Sequence, residues 1–357
     1  MAWQHPIYNP LGLGNFANGL EAEYQAHPLS RRLKWLKQWA RLKLMLLVSG
    51  QCRRRLQHLP TGTRKVLYAY DWGAIGDSIM DLSQRQLFPS EIHLDLYMPA
   101  KASVLFEGDA RFQNVYRQAA DCPTDYDLIV LHNISPALLK FKKQHYPDTP
   151  FYDVLGFIQG ELYARAFFCC TSLTRLLGKT APEVCRPQLG KRHIASVNER
   201  PNTVLVAVGA LDQERRRYKQ WAALISQVQA MHLEAKKTPL TFVLSGLGDS
   251  AREDVESLPL QFVQNCCEVC LDLPGFPEVQ AKIASCQYFL GPDGGLMHIA
   301  EAMNKQGVAL FAEINPAWRL GPGSRIRALT APHTVNDIPA TSIAQQFMAL
   351  LSSPDNL

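Results

Sequence analysis

YFLGPDGGLMHIAEAMNKQGVALF, residues 288–311, holds a strand, a loop, a helix and a second strand in immediate succession. The apolar run Tyr288–Leu290 predicts a buried strand. Gly291-Pro-Asp-Gly-Gly295 predicts a tight turn, which glycine makes most readily. A helix is expected from about Leu296 to Asn304 and a second strand over Gly307–Phe311. Glycines at a helix start leave backbone N–H groups open at the positive end of the helix dipole, and that arrangement suits a phosphate. His298 falls in the first turn, near the same spot. The stretch points to a nucleotide or another phosphorylated ligand; the same wiring also serves α/β architecture that binds nothing.

Outward from this unit the alternation continues in both directions. Upstream, strands are expected at Val204–Val208, Leu240–Ser245 and, shorter, Gln261–Cys266, with helices at Arg217–Met231 and Glu278–Ser285. Downstream a helix is expected around Ile343–Leu351. An earlier series begins at Lys65, with strands at Lys65–Tyr70, Ile92–Met98 and Asp127–His132. Its helices are expected at Asp77–Gln86, near Ala102 and over about Tyr152–Leu177. Ala181–Asn202, polar and proline-containing, reads as a linker. Strands alternating with helices predict parallel sheets covered on both faces. Two such domains in sequence are expected to leave a cleft, with ligands at the carboxyl ends of the strands. The expected division is 1–60, 61–190 and 191–357.

The 357 residues, 47% hydrophobic, suffice for two cores. No apolar run approaches the ~20 residues that span a bilayer. The first residues, MAWQHPIYNP, lack the pattern of a secretion signal. Nine cysteines show no disulfide-framework spacing, which favours a reducing cytosol. Cys266, Cys267 and Cys270 include one C-x-x-C without a partner pair at zinc-ribbon spacing, so buried or free thiols are expected there rather than a metal.

The net charge of +5 is unevenly spread. Between Tyr24 and Tyr70 there is no acidic residue, but there are eleven basic ones: Arg31, Arg32, Lys34, Lys37, Arg41, Lys43, Arg53, Arg54, Arg55, Arg64 and Lys65. Residues 1–29 look irregular. Ser30–Val48 predicts a helix with Ser30 as N-cap, with Leu33, Leu36, Trp39/Ala40 and Lys43/Leu44 at helical spacing and Lys34, Lys37 and Arg41 elsewhere on its surface. Residues 30–56 therefore suit an anionic inner-membrane surface, or else a helix docked on the protein's own core. No nucleic-acid-binding motif accompanies the charge, so nucleic acid is not expected as a partner.

A second glycine loop, Asp71-Trp-Gly-Ala-Ile-Gly-Asp77, follows the strand Lys65–Tyr70. It matches neither a P-loop nor G-x-G-x-x-G. It places Asp77 at a helix start, as a cap or as a general base for an acceptor hydroxyl. Two glycine loops on two domains suit a donor nucleotide on one and an acceptor on the other. Asp125-Tyr-Asp127 is a D-x-D, but it lies at the beginning of a strand and reads as loop chemistry.

Gly-Ala-Ile-Gly-Asp at 73–77 and Gly-Pro-Asp-Gly-Gly-Leu-Met-His-Ile-Ala-Glu-Ala-Met at 291–303 resemble the motifs of glycosyltransferase family 9, the ADP-heptose:lipopolysaccharide heptosyltransferases. The resemblance runs from about Lys65 to the C-terminus and includes the stretch from Val204. It implies a GT-B fold, two Rossmann-like domains with parallel sheets facing across a cleft. It also implies a nucleotide sugar, ADP-linked, as donor and a lipid A/core glycolipid as acceptor. Transfer would be inverting, with Asp77 as base. Gly73 and Gly76 would form the acceptor-side loop. Asp293, Gly294, Gly295 and His298 would hold the donor, and no metal or other cofactor is required. Two stretches depart from the family pattern. Gly209-Ala-Leu-Asp212 lacks the usual Ser or Thr and is followed by Arg215, Arg216 and Arg217 in place of a Lys, so Arg216 or Arg217 is expected at the diphosphate. Ala312-Glu-Ile-Asn-Pro316 replaces the usual Gly-Pro-Thr. The donor sugar stays open on both counts. A same-fold transferase acting on another glycan or on protein, or a non-catalytic nucleotide-sugar-binding relative, are the other readings.

Overall fold

The computed structural model describes residues 29–155, 165–180, 185–210, 213–236, 238–321 and 323–352. The irregular segment 1–28 and parts of the expected linker (181–184) and of the loop after Val208 (211–212) lie outside the described residues. The chain forms two compact units, one of residues up to Gly73 with Asp81–Cys185, the other of Ala74–Met80 with Arg186–Leu357. No helix among the described residues is long and apolar enough to cross a membrane.

The first unit opens with helix α1, Leu29–Val48. Its sheet is five-stranded and wholly parallel, in the order β3-β2-β1-β4-β5. The strands are β1 (Lys65–Ala69), β2 (His93–Tyr97), β3 (Val115–Tyr116), β4 (Leu128–Leu131) and β5 (Phe151–Asp153). Every residue of β4, Leu-Ile-Val-Leu, is buried, as expected for a strand covered on both faces. Helix α2 spans Ile75–Asp81 and continues as a 3-10 segment, Leu82–Leu87, so the helix expected over Asp77–Gln86 changes pitch halfway. Helix α3, Pro136–His145, was not anticipated. Its start is nonetheless written in the chain: Ser135 caps it by accepting from the Leu138 N–H at 3.0 Å, and proline occupies the first turn. The long helix expected from Tyr152 is corrected: Phe151–Asp153 is an edge strand, and helix α4 runs from Arg165 to Leu176. Leu67, Ile129, Leu138, Phe141 and Leu46 meet in one core cluster. Each such side chain contributes roughly 1.5–3 kcal/mol on burial.

The second unit carries a six-stranded parallel sheet in the order β11-β10-β9-β6-β7-β8. Its elements are β6 (Arg200–Ala207), α5 (Trp221–Lys236), β7 (Thr241–Gly246), α6 (Asp249–Glu256), α7 (Leu260–Cys266), β8 (Cys267–Leu271), α8 (Phe276–Ser285), β9 (Cys286–Pro292), α9 (Gly295–Ala302), β10 (Gln306–Ala312), β11 (Ile326–Ala331) and α10 (Ala340–Leu351). The strand expected at Gln261–Cys266 is a helix, and the strand begins one residue later. Trp221, Leu224 and Val228 of α5 and Ile343 and Phe347 of α10 share a core with Val204, Val206, Leu290 and Leu310 of the sheet.

Cys266, Cys267 and Cys270 are not disulfide-bonded. Burial pushes their thiols up, Cys267 to about 12. Cys170 and Cys185, by contrast, form a disulfide, which their spacing did not suggest. Asp127 accepts the Arg64 and Lys65 N–H groups at 2.8 and 2.9 Å, and Asp125 pairs with Lys65. The D-x-D therefore closes the amino end of β1, as its position implied.

Candidate active site

In a parallel sheet, ligands collect beyond the carboxyl ends of the two strands where the winding reverses. In the second unit those strands are β6 and β9, neighbours in the sheet and far apart in sequence. The loop leaving β6 leads to Arg215, Arg216 and Arg217; the loop leaving β9 is Asp293 and Gly294. The fold thus brings the loop that leads to the three arginines beside the loop of the late glycine motif.

Of the three arginines, Arg216 reaches the β9 loop. Its Nη2 lies 3.5 Å from Asp293 Oδ2, and its side chain keeps 21% exposure. Arg217 is committed elsewhere, to Asp254 and Glu253, each at 2.8 Å. Arg215 pairs with Glu313 at 2.5 Å. Asp254 also accepts the Gly209 N–H at 2.8 Å and so ties the β6 loop to α6. Burial pushes the Asp254 carboxyl up, against the opposing pull of Arg217 and of that N–H. Gly209 has φ of +77°, and an added Cβ would stand 2.7 Å from the Ala251 nitrogen, so the sharp turn here requires glycine. Gly209 and Ala210 are thus held through their backbone N–H groups, by Asp254 and by the Ser250 hydroxyl.

Asp293 and His298 are buried. His298 Nε2 lies 3.7 Å from Asp293 Oδ1, and His298 Nδ1 lies 3.8 Å from Glu301 Oε2. Among the described residues, His298 Nδ1, Glu301 Oε2, Asp293 Oδ2 and Arg216 Nε find no hydrogen-bond partner. Buried polar atoms left unsatisfied in one place mark where a polar ligand would complete them. Glu301 was not among the expected site residues. Gly294 is extended (φ 176°), with the Pro292 carbonyl oxygen 4.0 Å from where a Cβ would stand, and a Cβ at Gly295 would make ordinary contact with Ile75. The chain bends at Asp293 and Gly294 between β9 and α9, where the turn was expected, and Gly294, Gly295 and Leu296 are half-buried.

Ala74–Met80, counted with this second unit, brings the early motif to the same place. An added Cβ at Gly76 would stand 2.3 Å from His298 Cδ2, so α2 begins against the imidazole ring. Asp77, half-buried, is the next residue, in the first turn of α2. Gly73, by contrast, is exposed in the first unit, with Ala100 as its nearest neighbour.

The first unit has its own reversal point, between β1 and β4. A buried ionic network lies there that sequence reasoning missed. Asp81 accepts from Arg165 through Nε (2.5 Å) and Nη2 (2.8 Å) and from the Tyr70 hydroxyl (2.9 Å). His132 Nε2 lies 2.9 Å from the same carboxylate, and its Nδ1 lies 3.2 Å from the Tyr68 hydroxyl. Arg165 stacks on Trp72 at 4.3 Å. Burial works against ionisation of Asp81, but His132 and Arg165 outweigh it and hold the carboxyl below the usual carboxylate range. Each of these residues is ordinary in its local sequence; only their position after β1, after β4 and on α4 unites them.

Residues 182–334 match the family model described as glycosyltransferase family 9 (heptosyltransferase). No curated protein sequence matches the chain. Among solved structures, a glycosyl transferase family 9 protein from Veillonella parvula aligns over 84% of this chain and 99% of its own, at 11% identity and a TM-score of 0.61. The E. coli heptosyltransferase WaaC with ADP aligns over 80% and 99%, at 13% identity and a TM-score of 0.60. The E. coli ADP-heptose lipopolysaccharide heptosyltransferase II aligns over 81% and 98%, at 15% identity and a TM-score of 0.57. With both parallel-sheet units in place, the chain shares the GT-B fold of these structures, and its residues 182–334 are similar to glycosyltransferase family 9.

Proposed function

We propose that the protein is an inverting, metal-independent glycosyltransferase. It moves heptose or a related sugar from an ADP-linked donor to a lipid A/core glycolipid on the inner face of the cytoplasmic membrane. One observation carries this reading: Arg216, Asp293 and His298 meet beyond β6 and β9, with Gly76 packed on the His298 ring and Asp77 following it. The leaving diphosphate gathers negative charge as the glycosidic bond breaks. The Arg216 guanidinium and the backbone N–H groups at the start of α9 stabilise that charge. Asp77 takes the proton of the acceptor hydroxyl while its oxygen attacks the anomeric carbon from the face opposite the diphosphate. The adenine and heptose assignments draw on relatives that hold ADP or ADP-2-deoxy-2-fluoro heptose.

A thermal-shift comparison of ADP, UDP, GDP and CMP, paired with transfer by Asp77→Ala, tests the reading. ADP is expected to stabilise wild type and Asp77→Ala alike. Transfer by the variant is expected to fall by about 10²–10⁴. A variant that transfers at the wild-type rate removes Asp77 as base, and a preference for another nucleotide removes ADP.

A further inference from the structure

Helix α1 has two unlike sides. Near its end Leu46 is buried in the first unit's core cluster, with Met45 and Cys52 packed against that cluster. Elsewhere on the helix Leu33, Leu44, Leu47 and Val48 are 48%, 60%, 56% and 77% exposed. At roughly 100° per residue these four fall within one stripe about 100° wide, together with exposed Ala40 and Lys37. The centre of the stripe lies about 150° around the helix from Leu46. Arg41 and Lys43, both exposed, flank it on opposite sides. The helix is therefore anchored through one side and presents an apolar stripe edged with cations on the other.

We propose that this face of α1 docks the protein on an anionic lipid bilayer, with Leu44, Leu47 and Val48 entering the interface and Lys37 and Arg41 at headgroup level. The stripe needs an apolar medium, and its edges need negative charge. An anionic bilayer supplies both in one plane. Nucleic acid would meet the cations but leave the leucines in water. A second copy docked through the same stripe would set cations against cations, because residues 25–70 hold no Asp or Glu to pair with them. Docking stands independently of the transfer reaction and is measured without donor or acceptor.

The test is co-sedimentation of the full-length protein with phosphatidylcholine vesicles, with or without a minority of phosphatidylglycerol, at low and high salt. Wild type is expected to bind the anionic vesicles only, and less as salt rises. Leu44→Ser/Leu47→Ser/Val48→Ser is expected to bind about tenfold more weakly or worse, as interfacial binding scales with buried apolar area. Lys37→Glu/Arg41→Glu keeps the stripe and is expected to lose the preference for anionic lipid. All five positions are exposed, so both variants should melt with wild type. No binding by wild type, equal binding to neutral vesicles, or unchanged binding by either variant overturns the proposal. So does a wild-type dimer, seen by sedimentation equilibrium, that the triple serine variant breaks.

Discussion

At the scale of single residues the chain is most exacting at Gly76. The ring of His298 occupies the space that any side chain at 76 would need, with Cδ2 at 2.3 Å from an ideal Cβ. Gly76→Ala must push the ring toward Asp293 and Glu301 or lift the start of α2 and carry Asp77 with it. Either displacement, near 1 Å, is of the size that costs about 10²-fold in rate when reacting groups lose alignment. Transfer by Gly76→Ala is therefore expected to fall by about that factor, while the melting temperature moves little; wild-type turnover would show that the packing is incidental. Asp77, Asp293 and His298 could be named as candidates because motif spacing fixes them along one segment each. The choice between Arg216 and Arg217 stayed open in the sequence, since it required knowing which acids each one meets. Asp81, His132 and Arg165 were illegible: their partners lie 84 and more residues away for Arg165, and nothing local distinguishes them.

Among elements, periodicity identified the strands of both sheets well because buried parallel strands are continuous apolar runs. It failed where an element is short or at an edge. Gln-Phe-Val-Gln-Asn-Cys at 261–266 was expected as a short strand, yet it forms helix α7, and the edge position belongs to Cys267–Leu271 beside β7. Edge strand β8 is held partly by charge. Glu268 at its second position accepts from Lys282 of α8 at 2.5 Å and from Arg200 of β6 at 2.9 Å. Lys282, with Arg200 adding to it against a desolvation cost, holds the Glu268 carboxyl down to about 2. A lowered carboxyl contributes stability above the ordinary carboxylate range, and that contribution is lost as pH falls through about 2. Glu268 is one-third exposed, so solvent screens the pair and the contribution is about 1 kcal/mol. Glu268→Gln is expected to be about that much less stable than wild type at pH 7. The two should converge as pH falls from about 4.5 toward 2, measured by urea denaturation at each pH. A constant difference across that range would mean that packing, not charge, holds the edge.

For the whole molecule the two units differ in what secures them, and that difference is measurable. Each has its own sheet and its own core cluster, so a single unfolding equilibrium is not assured. The first unit depends on the Asp81 carboxylate, which is fully buried and shared by Arg165, His132 and Tyr70. Asp81→Asn leaves the guanidinium buried without its counter-ion, a change that costs about 3–5 kcal/mol. The second unit contains Arg216, Asp293 and the start of α9, where the nucleotide is proposed to bind. Saturation at a hundredfold excess over Kd adds about 2.7 kcal/mol to whichever unit binds it. Calorimetry of four samples, wild type and Asp81→Asn with and without ADP, separates the two effects. Asp81→Asn is expected to lower one transition and leave the other in place, and ADP is expected to raise the transition that the substitution spares. Should ADP raise the transition lowered by Asp81→Asn and leave the second unmoved, the nucleotide belongs to the first unit, beyond β1 and β4, and the donor role of Arg216 and His298 falls with it.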